Sequence, residues 1–311
     1  MAERYLVLFN PSAGGGRAMM KKRALEAALA GRGIAHEFVV TASEADLRER
    51  AASGARAGRT IVAAGGDSTF HIVVNEVVKG GRRVPLALVG IGSSNDITLE
   101  FGLETLDKAC GALKEGRVRR IDLGVIRAEG IAPVYFLGQS NIGLGAAVNR
   151  YVARLAERRR PLARRQTLAG ILGILNAYRT KKVPVSLRIA GPERALEGPF
   201  VLAVFSNIRF WATGKILNPQ AKPDDGKLDA CLFEECTFAR LARLNTLASK
   251  GRHGACPEVV LQQSASFEVT SETPFLIQTD GEMHIDPAGR EPLALRRVRF
   301  EISPAALDLI S

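Results

Sequence analysis

Three short segments of this 311-residue chain set glycine beside hydroxyl, carboxamide and carboxylate side chains. They are Asn10-Pro11-Ser12-Ala13-Gly14-Gly15-Gly16-Arg17, Gly65-Gly66-Asp67-Ser68-Thr69 and Gly90-Ile91-Gly92-Ser93-Ser94-Asn95-Asp96. Loops of this kind let backbone N–H groups crowd around an anion, and a helix start behind them adds positive dipole. The chemistry they suit is phosphate binding. A Gly-x-Gly-x-x-Gly fingerprint fails at Met19, a Walker loop needs a Gly-Lys-Ser/Thr ending that is absent, and a nucleophile elbow fails at Phe70. Each loop alone also reads as a plain turn; their common placement carries the argument.

Each loop follows an apolar, strand-like run: Tyr5 to Phe9, Thr60 to Ala64 and Pro85 to Val89, with a further strand over Glu37 to Val40. Helices are expected over 17–31, over 43–54 with Ser43-Glu44-Ala45-Asp46 as its start, and over 69–78. That β-α alternation predicts a parallel sheet, whose carboxyl edge is where ligands bind. After residue 117 strand-like runs follow one another, at 120–127, 134–140, 183–189, 200–205, 228–233, 266–269, 275–278 and 293–302. The expected fold class is therefore α/β, with two domains and a cleft between them. A parallel α/β nucleotide-binding domain (1–117) precedes a mainly antiparallel β-sandwich domain (118–311), which carries a basic helical insertion near 145–182.

Composition excludes other classes. With 46% hydrophobic and 24% charged residues the chain is neither disordered nor fibrous, and its net charge of +11 favours anionic partners. No signal-peptide layout or membrane-spanning apolar stretch is read. Cys110, Cys231, Cys236 and Cys256 form no Cys-x-x-Cys pair and the four histidines do not join them, so reduced cytosolic thiols are expected.

The loops, in their order, resemble the diacylglycerol kinase catalytic-domain family, which includes bacterial lipid kinases and sphingosine kinases. Asn10 to Gly14 is similar to its first nucleotide loop, Gly65 to Thr69 to its Gly-Gly-Asp-Gly-Thr signature, and Gly92 to Asp96 to its Gly-Thr-x-Asn-Asp segment. Ile121-Asp122-Leu123-Gly124, Asn141-Ile142-Gly143-Leu144-Gly145, Pro223 to Asp229 and Asp280-Gly281-Glu282 match landmarks of the second domain. The resemblance implies magnesium-assisted phosphoryl transfer from ATP to a lipid hydroxyl, diacylglycerol by default, with a ceramide, a sphingoid base or phosphatidylglycerol also open. It implies nucleotide contacts at Asn10, Pro11, Ser12, Ala13, Gly14, Thr41, Gly65, Gly66, Asp67, Ser68, Thr69, Gly92, Ser93 and Asn95. It places Mg²⁺ at Asp225 with backbone oxygens of Lys222 and Lys227. Asp280 and Glu282 become the candidates for the catalytic base, with Asp67 contributing charge at the phosphates. A soluble-substrate kinase of the NAD kinase type, which shares the Gly-Gly-Asp-Gly-Thr loop, is the alternative reading. A lipid- or nucleotide-binding protein with impaired catalysis is the other.

Three positions depart from the pattern. Ser68 stands where the family has glycine, which would strain a left-handed backbone by about 1–2 kcal/mol. His71 and Ile72 occupy the positions of the family's Asn-Glu pair, while Asn75 and Glu76 lie one turn further, roughly 6 Å along the helix, and are expected to replace it. Finally, Arg150 to Lys182 holds ten Arg and Lys residues and one Glu, around an apolar stripe of Leu168, Ile171, Leu172 and Leu175. Such a segment suits anionic membrane lipids. Without interleaved aromatics it does not suit nucleic acid. The expectation is a cytoplasmic enzyme that binds membranes peripherally.

Overall fold

The computed structural model describes residues 5–158, 166–191, 195–284 and 292–311. The apolar runs of the N-terminal part form four parallel strands: β1 (Tyr5–Phe9), β2 (His36–Val40), β3 (Ile61–Gly65) and β4 (Leu86–Gly90). β3 is buried along its whole length and β1 from Leu6 onward, as strands covered on both faces must be. Five helices belong to this part: α1 (Lys22–Gly31), α2 (Glu44–Arg56), α3 (Asp67–Lys79), α4 (Asp96–Glu100) and α5 (Leu106–Glu115). Ser43 caps α2 by accepting from Asp46 N–H, and Asp46 Oδ2 in turn accepts from Ala42 N–H at 2.8 Å.

The helix expected over 17–31 begins later. Gly14, Gly15 and Gly16 take φ of 61°, 69° and 88°, which breaks the 3₁₀ turns of Ala13–Lys21 before α1 starts.

The remaining strands are β5 (Val118–Arg127), β6 (Val134–Phe136), β7 (Gln139–Gly143), β8 (Val185–Ala190), β9 (Ala195–Ser206), the short pair β10 (Phe210–Trp211) and β11 (Lys215–Ile216), β12 (Leu228–Glu234), β13 (Val259–Ser264), β14 (Ser266–Thr279), β15 (Glu282–Met283) and β16 (Ala294–Ile310). Three helices accompany them: α6 (Leu144–Arg158), α7 (Gln166–Arg179) and α8 (Phe238–Ala248). Pairings among β5 to β9 and β12 to β15 are antiparallel.

The two halves share one sheet through the chain end. β16 pairs antiparallel with β14, passes an irregularity between Ser303 and Leu307, and finishes parallel to β4 with Leu309 opposite Leu86. Its Leu307, Leu309 and Ile310 therefore join the core beneath β1 to β4, although they lie almost 200 residues beyond the α/β segment. A second core fills the sandwich around Phe205, whose ring stacks on Phe300 at 4.2 Å and tilts against Phe267 at 5.4 Å. A third lies between the sandwich and α6, α7 and α8.

Candidate functional site

Strand order β4-β3-β1-β2 brings the ends of β1, β3 and β4 side by side, so all three glycine loops meet at one edge. Asn10 ties two of them: its Oδ1 accepts from Ser12 N–H at 3.0 Å, and its Nδ2 donates to Thr69 Oγ1 at 2.9 Å. The second and third loops touch backbone to backbone. Ile91 and Gly92 N–H both donate to Gly65 O, and a methyl group on Gly92 would come within 2.7 Å of Gly66 Cα. Only glycine allows that approach. Gly66 caps α3, so Asp67, Ser68 and Thr69 form its first turn with N–H groups facing the loops. Asn95 shapes the third loop by donating to Gly92 O at 3.3 Å, and its Oδ1 is buried without a partner. Pro11, Ser12 and Ala13 lie on the first loop, with Ser12 exposed, and Ser93 lies on the third. Thr41 is buried with both its N–H and its hydroxyl donating to Phe9 O, so it builds the wall and does not offer a donor.

Asp280 reaches the same edge from the other half. It sits with φ of 47° in the turn between β14 and β15, and its side chain has no exposed surface. Its Oδ1 accepts from Gly138 and Gln139 N–H at 3.0 and 2.9 Å, and its Oδ2 accepts from Leu137 N–H at 3.0 Å. His71 Nδ1 lies 3.3 Å from the same Oδ2. Glu282, two residues on, is half-exposed in β15. Asn149 of α6 donates to Gly281 O at 2.7 Å and anchors this turn from a third direction.

Asp67 feels the result. Burial of its carboxyl group pushes its pKa well above the usual range, and the charges of Asp96 and Asp280 push the same way. N–H groups of Ile97 and Asp96 oppose the shift, while its Oδ1 is shut off from solvent without a partner. Asp96 is settled differently, accepting from Thr213 N–H, Gly214 N–H and the Ser94 hydroxyl. Lys215 stands near it, its pKa lowered by burial and partly restored by Asp96.

The loop resembling a metal site, Pro223 to Asp229, has carboxylate oxygens to spare on two side chains, Asp225 and Asp229. Asp224 is taken by Arg119, in two hydrogen bonds of 3.0 and 2.6 Å. Asp225 Oδ1 accepts from Lys227 N–H at 3.0 Å. Gly226 N–H is fixed by the buried Asp122 at 2.7 Å, and Asn207 links Asp122 O to Gly138 O, next to the Asp280 clamp. No three His, Cys, Asp or Glu side chains gather as a metal cluster among the described residues. What remains is the second oxygen of Asp225, the buried and unpartnered Oδ2 of Asp229, and the carbonyls of Lys222 and Lys227. That all-oxygen set fits a hard cation that keeps several waters.

Two expectations are corrected. Ser68 lies inside α3 with a helical backbone, so the serine carries no left-handed strain; its hydroxyl faces Gly281, where an added methyl group would lie 3.2 Å away. Asn75 and Glu76 do not enter the site. Asn75 clamps α3 to β6 through both its N–H and C=O contacts with Tyr135, and Glu76 turns to Arg48 of α2 at 3.1 Å. One helical turn moved them past the cleft. Of the basic segment, Arg159, Arg160, Arg164, Arg165 and the side chain of Arg158 lie outside the described residues. Sequence reasoning missed His71, Lys215 and Asn149; a departure from the family pattern marked the first, and nothing marked the other two.

Residues 4–126 match the diacylglycerol kinase catalytic domain, and residues 138–311 match the YegS C-terminal NAD kinase beta sandwich-like domain. The "Probable lipid kinase YegS-like" of Pseudomonas aeruginosa is 30% identical over 86% of this chain and 82% of its own. The chain belongs to the diacylglycerol kinase family of lipid kinases. Relatives of this lipid kinase include the diacylglycerol kinases of Mycobacterium tuberculosis, 29% identical over 84% of this chain and 83% of its own, and of Staphylococcus saprophyticus, 26% identical over 71% and 70%. A crystal structure of a diacylglycerol kinase from Bacillus anthracis shares the fold, with a TM-score of 0.71 at 17% identity over 99% of this chain and 96% of that one. The likeness to NAD kinases thus extends to the architecture of the second domain.

The raised pKa of Asp67 makes a prediction for the lipid kinase without nucleotide. An unfolded Asp ionises near pH 4. Above that, the unfolded chain gains by ionising before the folded one does, so native stability falls as pH rises. Asp67→Asn is expected to raise the melting temperature, by more at pH 8 than at pH 5, while kinase activity falls about a hundredfold or more. A melting temperature that does not rise, or a gain that shrinks with pH, would contradict this.

Proposed function

We propose that this lipid kinase transfers the γ-phosphoryl group of ATP to the free hydroxyl of a diacylglycerol-type lipid at a membrane surface, as a cytoplasmic, peripherally bound enzyme. The observation that carries this reading is the meeting of three phosphate-suited loops with the Asp280-Gly281-Glu282 turn in one cleft. Backbone N–H groups of the glycine loops and the start of α3 would hold the nucleotide phosphates. Asp280 already accepts three N–H bonds and has no exposed surface, which suits it to positioning the turn. Glu282, half-exposed, is the base. As the lipid oxygen bonds to phosphorus, its proton passes to Glu282, and the bond between the γ-phosphorus and the bridging oxygen breaks to release ADP. Mg²⁺ would be held by Asp225 and the carbonyls of Lys222 and Lys227, and when bound it supplies positive charge that offsets the phosphates.

The membrane part rests on α7. Ala169 and Ala177 are fully buried, whereas Leu168, Ile171 and Leu175, on the opposite face, are 39%, 46% and 47% exposed. Such a row is costly in water and favourable in an interface. Arg179 continues it, and Lys181 and Lys182 follow, all exposed. Among the described residues no helix is long and apolar enough to cross a membrane.

Two measurements test this. Incubation with labelled ATP, Mg²⁺ and diacylglycerol in mixed micelles is expected to yield labelled phospholipid. Glu282→Gln should lower kcat by about 10²–10⁴-fold with little change in KM for ATP. Labelled NADP from NAD with no labelled lipid would reverse the reading. In sedimentation with vesicles rich in anionic lipid, the protein should bind, and Ile171→Glu with Leu175→Glu should release it; equal binding by the double variant would refute the surface.

A further inference from the structure

His71 stands where the family pattern has asparagine, and the proposed function leaves it without a role. It projects from the first half of α3, in the nucleotide-binding half, into contact with Asp280, in the other half. Both side chains are buried, at 9% and 0% exposure. Three of the four hydrogen bonds that define the Asp280 carboxylate come from consecutive backbone N–H groups, Leu137, Gly138 and Gln139. His71 supplies the fourth and is the side-chain partner among them.

The turn needs such a partner. Asp280 is a non-glycine residue with φ of 47°, a conformation that persists only where surroundings over-determine it. An ionised carboxylate only accepts hydrogen bonds, so the facing Nδ1 must carry the proton. Asparagine offers the same thing from the same place: its Nδ2 and the histidine Nδ1 are both bonded to Cγ. The groups around His71 agree with this assignment. His284 has its pKa drawn down to about 4 by burial, with the charge of His71 adding and Asp280 opposing, so it is neutral near pH 7 and cannot compete as a cation. Its Nε2 is engaged with Thr279 Oγ1 at 2.7 Å. Asp67 lies one turn before on the same helix, with a carboxyl pKa raised by burial. Asn75 holds the His71 carbonyl at 2.9 Å and so fixes the helix beneath it.

We infer that His71 is a positioning residue: from the place where the family pattern has asparagine, its Nδ1–H locks the Asp280 carboxylate and so sets the Asp280-Gly281-Glu282 turn against the nucleotide loops. Its consequence for turnover rests on the reading of Glu282 as base; the locking itself does not.

The experiment compares His71→Asn, which keeps an Nδ–H donor, with His71→Leu, which fills space without one. Hydrogen exchange, followed by mass spectrometry on peptides covering 137–139 and 280–282, reads the lock without reference to activity. His71→Leu should speed exchange of those amides about tenfold or more, while His71→Asn leaves it within about threefold of wild type. In the kinase assay kcat should fall about 10- to 100-fold in His71→Leu, recover to within about threefold in His71→Asn, and leave KM for ATP within about twofold in both. Unchanged exchange in His71→Leu, or equal acceleration in both variants, overturns the lock. Accelerated exchange with unchanged kcat overturns the link to turnover. Should wild type transfer no phosphoryl group to lipid, the function reading falls and the exchange result still decides the lock.

Discussion

One buried carboxylate ties the turn of residues 280–282 to both halves of this protein. Asp280 takes N–H bonds from Leu137, Gly138 and Gln139 and lies against His71 of α3. Charge-assisted bonds inside a protein are among the stronger polar contacts, and removing one partner of such a set leaves a buried ion uncompensated. The placement of Glu282, the reach of Asn149 to Gly281 and the contact of Ser68 with Gly281 all follow from where this group is held. β16 performs the matching task for the backbone, since one strand pairs with β14 and β5 of one half and with β4 of the other, within a single sheet.

The same arrangement concentrates negative charge. Burial raises the cost of ionising Asp67, and the neighbouring charges of Asp96 and Asp280 add to it. Asp96 and Asp280 are answered by backbone N–H groups, but one oxygen of Asp67 has nothing. An unanswered buried carboxyl group at a glycine loop is a stability deficit, and in the proposed reaction a bound nucleotide with its cation would relieve it.

Much of the fold was legible because buried parallel strands read as continuous apolar runs, and because helix starts such as Ser43 declare themselves chemically. The three phosphate loops were legible for the same reason: each follows its strand directly. Other features depend on distant partners. Nothing within residues 294–310 announces that the last of them pairs with β4, and nothing near Lys215 announces Asp96. The helix expected from residue 17 begins only at Lys22, because Ala13–Lys21 forms 3₁₀ turns around three left-handed glycines. Asn75 and Glu76 share a helix face with His71 and Ile72, yet one turn carries them to β6 and α2. α8 and β13 were also unexpected, although Leu241, Leu244 and Ala248 show helical spacing once the segment is seen as a helix.

In the proposed reaction the nucleotide phosphates lie on the glycine loops, with the γ-phosphoryl group facing the turn of Asp280 and Glu282. A crystal structure with a non-hydrolysable ATP analogue and Mg²⁺ tests it most directly. Phosphate oxygens are expected within hydrogen-bond distance of N–H groups among Gly14, Gly15 and Gly66 to Thr69, with the terminal phosphate on the Glu282 side. Phosphates bound away from these loops, or a terminal phosphate pointing away from Glu282, would contradict it.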